Sequence, residues 1–531
     1  RMGRGDAMPP APPPASWHIQ VIDAGDRSLA SFARASLDGE VAPSEVKISN
    51  TTLCCNMVLS ITGSAVLGVG AQMTTLGWIF TPVLLFVGAA LTTEMVWLVS
   101  ATSEQLEAVN GAEELVSYQD FAQSALGPAG WWASAASSTL SLVGMIIGGL
   151  VLESDNLQIV APLYWHWPLG GDPGDAGRKW WAVLVSVTTF LYCAVDIGSL
   201  LSKSGYIGVV LTILCLGLVY AGTLGQFGSL GDFADACRDG VDVPFRSLGV
   251  NTNGEEGFQV FLDFFSVTSY MVFVFAIVVT LPTLRSTMRQ KDALTNMSAI
   301  AFFVVALEFL GIMLGYYWAF GNLGPQNIVD GMRMDREAHP GWWATADPWS
   351  AGVPTWVARA LGWCVTLHLL CSDAIYVPCT VVALEALLPR RLVRRKRVWL
   401  GLRLVVTAVR LAVAILVRDF VKLTNLTSAA FVTMNNLLLP VLAFYWAGPS
   451  GKAGTVRRAV HLLIFLFAIA SMIFGTVSAV QALSASPQPR GSFPRAGISP
   501  ACRDAFCAAN VGHAGCRAAP LLQPGSPAVS S

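Results

Sequence analysis

Charged residues are scarce in this sequence. Asp, Glu, Lys and Arg make up 13% of its 531 residues, whereas a soluble domain carries about 25%. Hydrophobic residues make up 54%. This composition excludes an ordinary soluble domain and predicts a membrane protein that crosses the bilayer many times. The net charge of −1 gives no support for nucleic-acid binding.

Motifs of catalysis and cofactor binding are also missing. The sequence has no P-loop, no HExxH and no GxSxG pattern. Its eleven cysteines form no CxxC pair, so their spacing does not suggest zinc. An enzyme is therefore not expected, and we expect no cofactor and no metal. The first 45 or so residues lack the apolar core of a signal peptide.

Eleven apolar stretches are long enough to cross a membrane as helices. They predict an all-α polytopic membrane protein. The membrane-spanning part is expected to lie between a disordered N-terminal tail over 1–46 and a low-complexity C-terminal tail over 486–531. We number the predicted helices spans 1 to 11: 50–71, 77–101, 130–155, 179–198, 205–224, 257–282, 293–320, 353–388, 397–417, 424–446 and 457–484. The polar residues 102–117 are expected to form a separate short surface helix.

Span 1 carries an unusual glycine cluster near its middle. Gly63, Gly68 and Gly70 interrupt an otherwise apolar run, and each glycine costs about 1 kcal/mol of helix stability relative to alanine. Two structures explain such a cluster. One is a helix broken at the membrane midplane, where transporters bind substrates and ions. The other is close packing of helices through small residues.

The positions of Lys and Arg predict the orientation. With the N-terminus in the cytoplasm, the largest basic clusters fall on the inner side, above all the cluster at 390–397. An odd number of spans then places the C-terminus outside the cell or in a lumen. Four cysteines share that oxidising side, so disulfides are possible there: Cys237, Cys502, Cys507 and Cys516.

Five motifs in the right order resemble the amino acid/auxin permease family. Gly63-Ser-Ala-Val-Leu-Gly68 before Gly77-Trp78 is similar to its first-helix signature, with Ala65 at the second glycine. The other four are Tyr118-Gln-Asp120 leading to Gly127 and Gly130, Phe273-Val-Phe275 leading to Pro282, Gly315-Tyr316 with Phe320-Gly321-Asn322, and Arg418-Asp-Phe420 through Pro440. The similarity covers roughly 47–485, which we take as the transporter domain.

This resemblance implies a leucine-transporter-type fold. Helices 1–5 and 6–10 would be inverted repeats with helices 1 and 6 broken, and helix 11 would be appended. It also implies transport of amino acids with a proton or sodium gradient. Together with the residues discussed below, it leads us to expect secondary active transport by alternating access, as a proton-coupled symporter, in the plasma membrane or a vacuolar or lysosomal membrane. The alternatives are a sodium-coupled symporter, a non-transporting amino-acid sensor on the same fold, and an exchanger or facilitator without ion coupling.

The substrate is expected to bind where helices 1 and 6 break. Free N–H groups at a half-helix suit a carboxylate, and free carbonyls suit an ammonium group or a cation. The predicted substrate-binding residues are Thr62, Gly63, Ser64, Ala65, Val66, Leu67 and Gly68 in span 1, with Phe273, Val274, Phe275, Ala276 and Ile277 in span 6. The span 6 aromatics would equally suit core packing.

The predicted ion-coupling residues lie in span 8. Sodium-coupled relatives carry Asn and Thr oxygens where this sequence has Leu59 and Cys371. Asp373 is an ionisable group within an apolar span and a functional candidate for that reason. His368 titrates near neutral pH, and Ser372 adjoins Asp373. Proton coupling through Asp373 is one hypothesis, and a structural pairing of Asp373 with an arginine is the other.

The remaining charges within spans are expected to be structural. Glu94, Asp196, Asp263 and Glu308 suit bonds to helix ends or to each other. Arg410 lies deep in span 9 and requires a partner, for which Glu308 is one candidate.

Overall fold

The computed structural model describes residues 50–62, 65–109, 115, 117–163, 173–194, 198–225, 257–320, 355–385, 387–388, 396–417, 420–447 and 453–484. Both predicted tails, most of the basic cluster at 390–397 and the four cysteines of the outer side lie outside these residues, and so does Asp196.

Each predicted span is helical over most of its described part, and span 6 is interrupted at Phe275–Ile277. The helices are α1 (Asn50–Thr62), α2 (Ala65–Val69), α3 (Met73–Val109), α4 (Tyr118–Val160), α5 (Pro173–Ala194), α6 (Gly198–Gly225), α7 (Gly257–Val274), α8 (Leu281–Thr287), α9 (Leu294–Phe320), α10 (Thr355–Glu385), α11 (Lys396–Leu416), α12 (Phe420–Thr427), α13 (Leu439–Ala447), α14 (Thr455–Ala470) and α15 (Thr476–Ser484). Short 3-10 turns cover Gly70–Gln72, Val278–Thr280 and Lys291–Ala293, and π-helical turns cover Ser428–Val432, Met434–Leu438 and Ser471–Gly475.

Six of the described helical stretches are both long and apolar enough to cross a membrane. They are Gly70–Val109, Tyr118–Gln158, Gly257–Thr280, Lys291–Trp318, Lys422–Ala447 and Thr455–Ser484. Many large apolar side chains on these helices are exposed in the isolated protein, among them Ile79, Phe303 and Leu463. A bilayer would cover them, since a hydrocarbon surface is the natural environment of such helices.

Two glycines with positive φ set where helices turn. Gly77 has φ 72° and ψ −167°, and it separates span 1 from span 2 by a sharp turn that a residue with a side chain adopts only with strain. Gly127 has φ 71° and is followed by Pro128, so the helical segment from Tyr118 turns there into span 3. The sequence-based start of span 3 at residue 130 was therefore too late.

The predicted surface helix over 102–117 was wrong, because α3 continues through this region to Val109. The oxygen Oε1 of Glu107 accepts a hydrogen bond from Nη1 of Arg285 at 2.6 Å. This ion pair gives the Glu107 carboxylate a charged partner and connects the end of α3 to α8. Ser117 then begins α4 by accepting a hydrogen bond from the amide of Asp120 at 3.0 Å, as an N-cap serine does.

The described helices pack in two neighbouring groups. The first joins α4 to α5, α10 and α11, with α6 against α10. The second places α7 against α3 and the π turn at Ser471–Gly475, with α9 against α1 and α3. The centre of the second group contains the interruption between α7 and α8.

Candidate functional site

Span 6 is broken in the middle of its apolar run. Helix α7 ends at Val274, the backbone of Phe275–Ile277 is not helical, and helical geometry resumes through a 3-10 turn into α8. The amide of Ile277 donates to the carbonyl oxygen of Phe275 at 2.8 Å, a local bond that a continuous helix does not contain. The predicted substrate-binding residues Phe273–Ile277 thus lie on the interruption itself.

The interruption is tightly enclosed by neighbouring helices. Phe275 is fully buried, and its ring meets that of Phe302 on α9 edge to face, with centroids 5.7 Å apart. A Cβ atom on Gly88 of α3 would lie 3.0 Å from the carbonyl oxygen of Met271 and 3.5 Å from Cδ2 of Phe275. Glycine at this position therefore lets α3 approach the backbone beside the break.

A hydrogen bond joins the two predicted substrate segments. The hydroxyl of Tyr270 on α7 donates to the carbonyl oxygen of Ala65 at 2.9 Å, and both groups are buried. Thr62 and Gly68 are buried on either side of Ala65. Gly63 and Ser64 lie outside the described residues, as do the side chains of Val66 and Leu67.

Span 10 supplies two asparagines that sequence reasoning missed. The side-chain amide of Asn436 lies 3.4 Å from the carbonyl oxygens of Val272 and Phe275, so it can donate to the backbone on both sides of the end of α7. Asn435 accepts hydrogen bonds from Tyr118 at its backbone carbonyl (2.7 Å) and from Ser137 at Oδ1 (2.6 Å). The available signal was an Asn-Asn pair within an apolar span, since polar side chains there need partners.

A second polar site lies between α4, α5, α10 and α11. Asp373 forms a direct ion pair with Nη2 of Arg410, and Oε2 of Glu153 lies 3.4 Å from the same nitrogen. Nη1 of Arg410 lies 3.2 Å from Oγ1 of Thr189, and its Nε donates to the carbonyl oxygen of Ile146 at 2.7 Å. We refer to Glu153, Asp373 and Arg410 as the charge cluster.

The charge cluster is shielded from water and carries an excess carboxyl group. The exposed fraction of the side chains is 0% for Glu153, 1% for Arg410 and 6% for Asp373. With all three groups ionised its net charge is −1. Burying an uncompensated charge is expensive, so the cluster is more stable when a proton or another cation neutralises it.

The other two predicted coupling residues contact different groups. His368 is buried, and its Nδ1 lies 3.2 Å from Oγ1 of Thr212 on α6. The hydroxyl of Ser372 donates to the carbonyl oxygen of His368 at 3.1 Å. Among Asp373, His368 and Ser372, only Asp373 belongs to the charge cluster.

The candidate pairing of Arg410 with Glu308 was wrong, because Glu153 and Asp373 lie on helices that pack directly against α11. Glu308 lies on α9, and its buried Oε1 has no hydrogen-bond partner among the described residues.

Glu94 binds Arg457 through two hydrogen bonds of 2.6 and 2.8 Å. Within the described part of the chain, no group of three or more His, Cys, Asp and Glu residues is arranged to hold a metal ion.

An interrupted helix enclosed by neighbouring helices within an apolar bundle is an arrangement that many transporters share. The fold matches the crystal structure of MhsT in complex with L-phenylalanine with a TM-score of 0.52 and 14% identity, over 82% of this chain and 99% of that one. This likeness confirms the predicted leucine-transporter-type fold.

The sequence matches the family described as transmembrane amino acid transporter protein over residues 46–482. The chain belongs to this family, which confirms the resemblance to the amino acid/auxin permeases and identifies a multi-pass membrane protein of amino acid transport. A comparison with curated proteins found no match.

Proposed function

We propose that this protein is a proton-coupled amino acid symporter that works by alternating access. The charge cluster is the observation that supports proton coupling, because two buried carboxyl groups share one guanidinium nitrogen. One proton makes the cluster neutral, and the loss of that proton leaves a buried negative charge. Proton relays in membrane transporters use such buried carboxyl groups.

The substrate site in this proposal lies between Thr62–Gly68 and Phe273–Ile277. Backbone amides and carbonyls released at the interruptions bind the carboxylate and the ammonium group of the amino acid. The hydrogen bond between Tyr270 and Ala65 supports this location, since it brings the two segments together. Leu59 and Cys371 offer no carboxylate, amide or hydroxyl oxygen for sodium, which favours a proton as the coupling ion.

The placement in the membrane is part of the same proposal. The transporter domain spans 47–485 between two tails, the N-terminus lies in the cytoplasm, and the C-terminus lies outside the cell or in a lumen. The host membrane is the plasma membrane or a vacuolar or lysosomal membrane. The basic cluster at 390–397 supports this orientation, because cytoplasmic loops are enriched in Lys and Arg.

An exchanger without ion coupling is the second candidate. It is favoured by the direct ion pair between Asp373 and Arg410, since a carboxylate held by an arginine has little tendency to bind a proton. In that case the charge cluster would be structural and would keep α10 and α11 together.

Transport into proteoliposomes distinguishes these functions. The purified protein is supplied with a labelled mixture of neutral amino acids under a proton gradient alone and then a sodium gradient alone, with protein-free liposomes as the control. We expect accumulation only under the proton gradient and its loss when an ionophore collapses that gradient. Accumulation under sodium alone, or counterflow exchange without accumulation, would contradict the proposal, and binding without flux would indicate a sensor.

A further inference from the structure

We propose that Glu153 is the side chain that binds and releases the coupling proton, and that Asp373 is a positioning residue that holds Arg410 beside it. This inference rests on the proposed proton coupling and names the side chain that carries the proton. It moves the proton from Asp373, which the sequence suggested, to a residue that the sequence analysis did not single out.

The two carboxyl groups of the charge cluster are held very differently. Asp373 has a direct ion pair with Arg410 and lies 3.4 Å from the hydroxyl of Thr189. Oε2 of Glu153 lies 3.4 Å from Arg410, and the carboxyl group of Glu153 also lies within hydrogen-bond distance of Asp373, which a protonated Glu153 can satisfy as a donor. Its Oε1 is buried and makes no hydrogen bond within the described residues. An ionised carboxylate needs several donors when it is buried, so the less stabilised Glu153 is the group that is neutral at rest.

Two other nitrogens of Arg410 bind neighbouring polar groups. Its Nε binds the carbonyl oxygen of Ile146 and its Nη1 binds Thr189. Nη2 carries two N–H groups and reaches both carboxyl groups, with the closer contact to Asp373. An ionised Glu153 therefore competes with Asp373 for the positive charge of this one guanidinium group.

The charged groups that face Glu153 are Asp373 from α10 and Arg410 from α11, while α5 presents the hydroxyl of Thr189. Other charged groups nearby in the chain have their own contacts. Asp155, two residues further along α4, lies 3.9 Å from Arg178 of α5. The further charged or titratable side chains on the helices packed against this part of α4 include Lys179, His368, Tyr376, Arg403 and Lys422.

This competition connects proton binding to helix packing. When Glu153 is protonated, Arg410 pairs with Asp373, and α11 is held to α10. When Glu153 releases its proton to water, the new carboxylate attracts Arg410 toward α4. The proton therefore changes which helix α11 is held to most strongly, and a change in contacts of this kind can shift a two-state equilibrium.

The test uses the full-length protein with Glu153→Gln, Asp373→Asn and, as the matched control, Glu308→Gln. Glu308 is also a glutamate within a membrane helix whose Oε1 lacks a described hydrogen-bond partner. A gradient of about one pH unit supports about tenfold accumulation if one proton accompanies each substrate. We expect Glu153→Gln to lose this accumulation entirely while counterflow exchange continues at a rate that no longer varies with pH, and Glu308→Gln to accumulate like the parent protein.

A spectroscopic readout separates failure of this inference from failure of proton coupling. Infrared spectra detect the C=O stretch of a buried protonated carboxyl group whether or not the protein transports. Glu308 is a second buried carboxyl group and can contribute a band of its own. We expect the pH-dependent band of Glu153 to be the one that disappears in Glu153→Gln and persists in Glu308→Gln. An unchanged band in Glu153→Gln, or normal proton-driven accumulation by that variant, overturns the assignment.

Asp373→Asn completes the test of roles. It leaves Arg410 to Glu153 alone, so we expect the infrared band to weaken as Glu153 becomes ionised, and proton-driven accumulation to fall. If the Glu153→Gln protein does not bind substrate, Glu153→Asp takes its place. That variant keeps a titratable carboxyl group, and we expect proton-driven accumulation with a displaced pH profile. A pH profile identical to that of the parent protein would overturn the assignment.

Discussion

Single glycines decide how closely the helices of this transporter approach one another. A Cβ atom on Gly70 would lie 2.6 Å from Cδ1 and 3.1 Å from Cβ of Tyr316, and Tyr316 is itself almost completely buried. The glycine cluster of span 1 left a broken helix and close packing as alternatives. At Gly70 the structure shows close packing, because the space that a side chain would need is filled by α9.

Gly70→Ala should therefore destabilise the protein. The new methyl group forces Tyr316 or its helix to move, at a cost of about 1–3 kcal/mol. Thermal unfolding of the detergent-solubilised protein measures the effect as a lower Tm. Gly217→Ala and Gly401→Ala are matched controls, since a Cβ atom at either helical position meets nothing within 4 Å. An equal Tm for Gly70→Ala and the controls would contradict the packing described.

At the scale of the element, the interruption between α7 and α8 is stabilised by span 10. Asn436 lies within a π-helical turn and reaches the carbonyl oxygens of Val272 and Phe275. These two carbonyl oxygens also accept local backbone bonds from the amides of Phe275 (3.3 Å) and Ile277 (2.8 Å), so Asn436 adds a second donor to each and holds the break against span 10. In a regular helix over 428–438 the side chain of Asn436 would point in another direction, away from the break. Short π turns of this kind are frequent at functional sites.

Asn436→Leu removes these donors while keeping a side chain of similar size. We expect a loss of roughly 1–3 kcal/mol in substrate binding, seen as a higher apparent KM for uptake. Asn425→Leu is the control, because Asn425 also binds α7, through Ser266 at 3.0 Å, but away from the interruption. Equal changes in KM for the two variants would show that Asn436 has no special role at the break.

The break itself was only partly predictable from the sequence. Residues Phe273–Val278 are all apolar, so nothing in their composition marks the end of a helix within the run 257–282. Pro282 lies in the first turn of α8 and marks the restart of the helix rather than its end. The family resemblance predicted the interruption of span 6, and hydrophobicity alone predicted a continuous helix.

At the scale of the whole molecule, span 11 is attached to the rest of the bundle by a polar network near one end. Glu94 on α3 accepts hydrogen bonds from Arg457, and its Oε1 also lies 2.8 Å from Nε2 of His461. The guanidinium of Arg457 lies 3.2 Å above the ring centroid of Trp97. The remaining surface of α14 is largely exposed and apolar, so this network is its main specific contact with α3.

A double-mutant cycle with Glu94→Gln and Arg457→Gln measures this attachment. Direct contacts of this kind give coupling energies of roughly 0.5–3 kcal/mol, and we expect a value within that range from chemical unfolding in detergent. Arg359→Gln, at an exposed position of α10, should change stability by less than about 0.5 kcal/mol. A coupling energy of zero would mean that apolar packing alone holds span 11.

The helices were predictable because each apolar run is local in the sequence. The charge cluster was not, since Glu153 and Arg410 are 257 positions apart and no periodicity relates them. Asp373 could be singled out from the sequence because it is an ionisable residue within an apolar span. Its partner could not, because the partner depends on which helices pack together. Arg410 required a buried carboxylate. The sequence analysis suggested Glu308, because nothing in the sequence marks Glu153 as the nearer of the two in space.

The π turns in span 10 affect how this protein should be aligned with its relatives. Each π turn bonds residue i to i+5 and so accommodates one residue more than an α turn. Against a relative with a regular helix, an alignment without gaps in Ser428–Leu438 misplaces the residues after the first π turn by one position and those after the second by two. Each position is a rotation of about 100°. Asn435, which binds Ser137, would then be matched to the position of Asn436, and the residue that contacts the broken helix would be assigned to the wrong column.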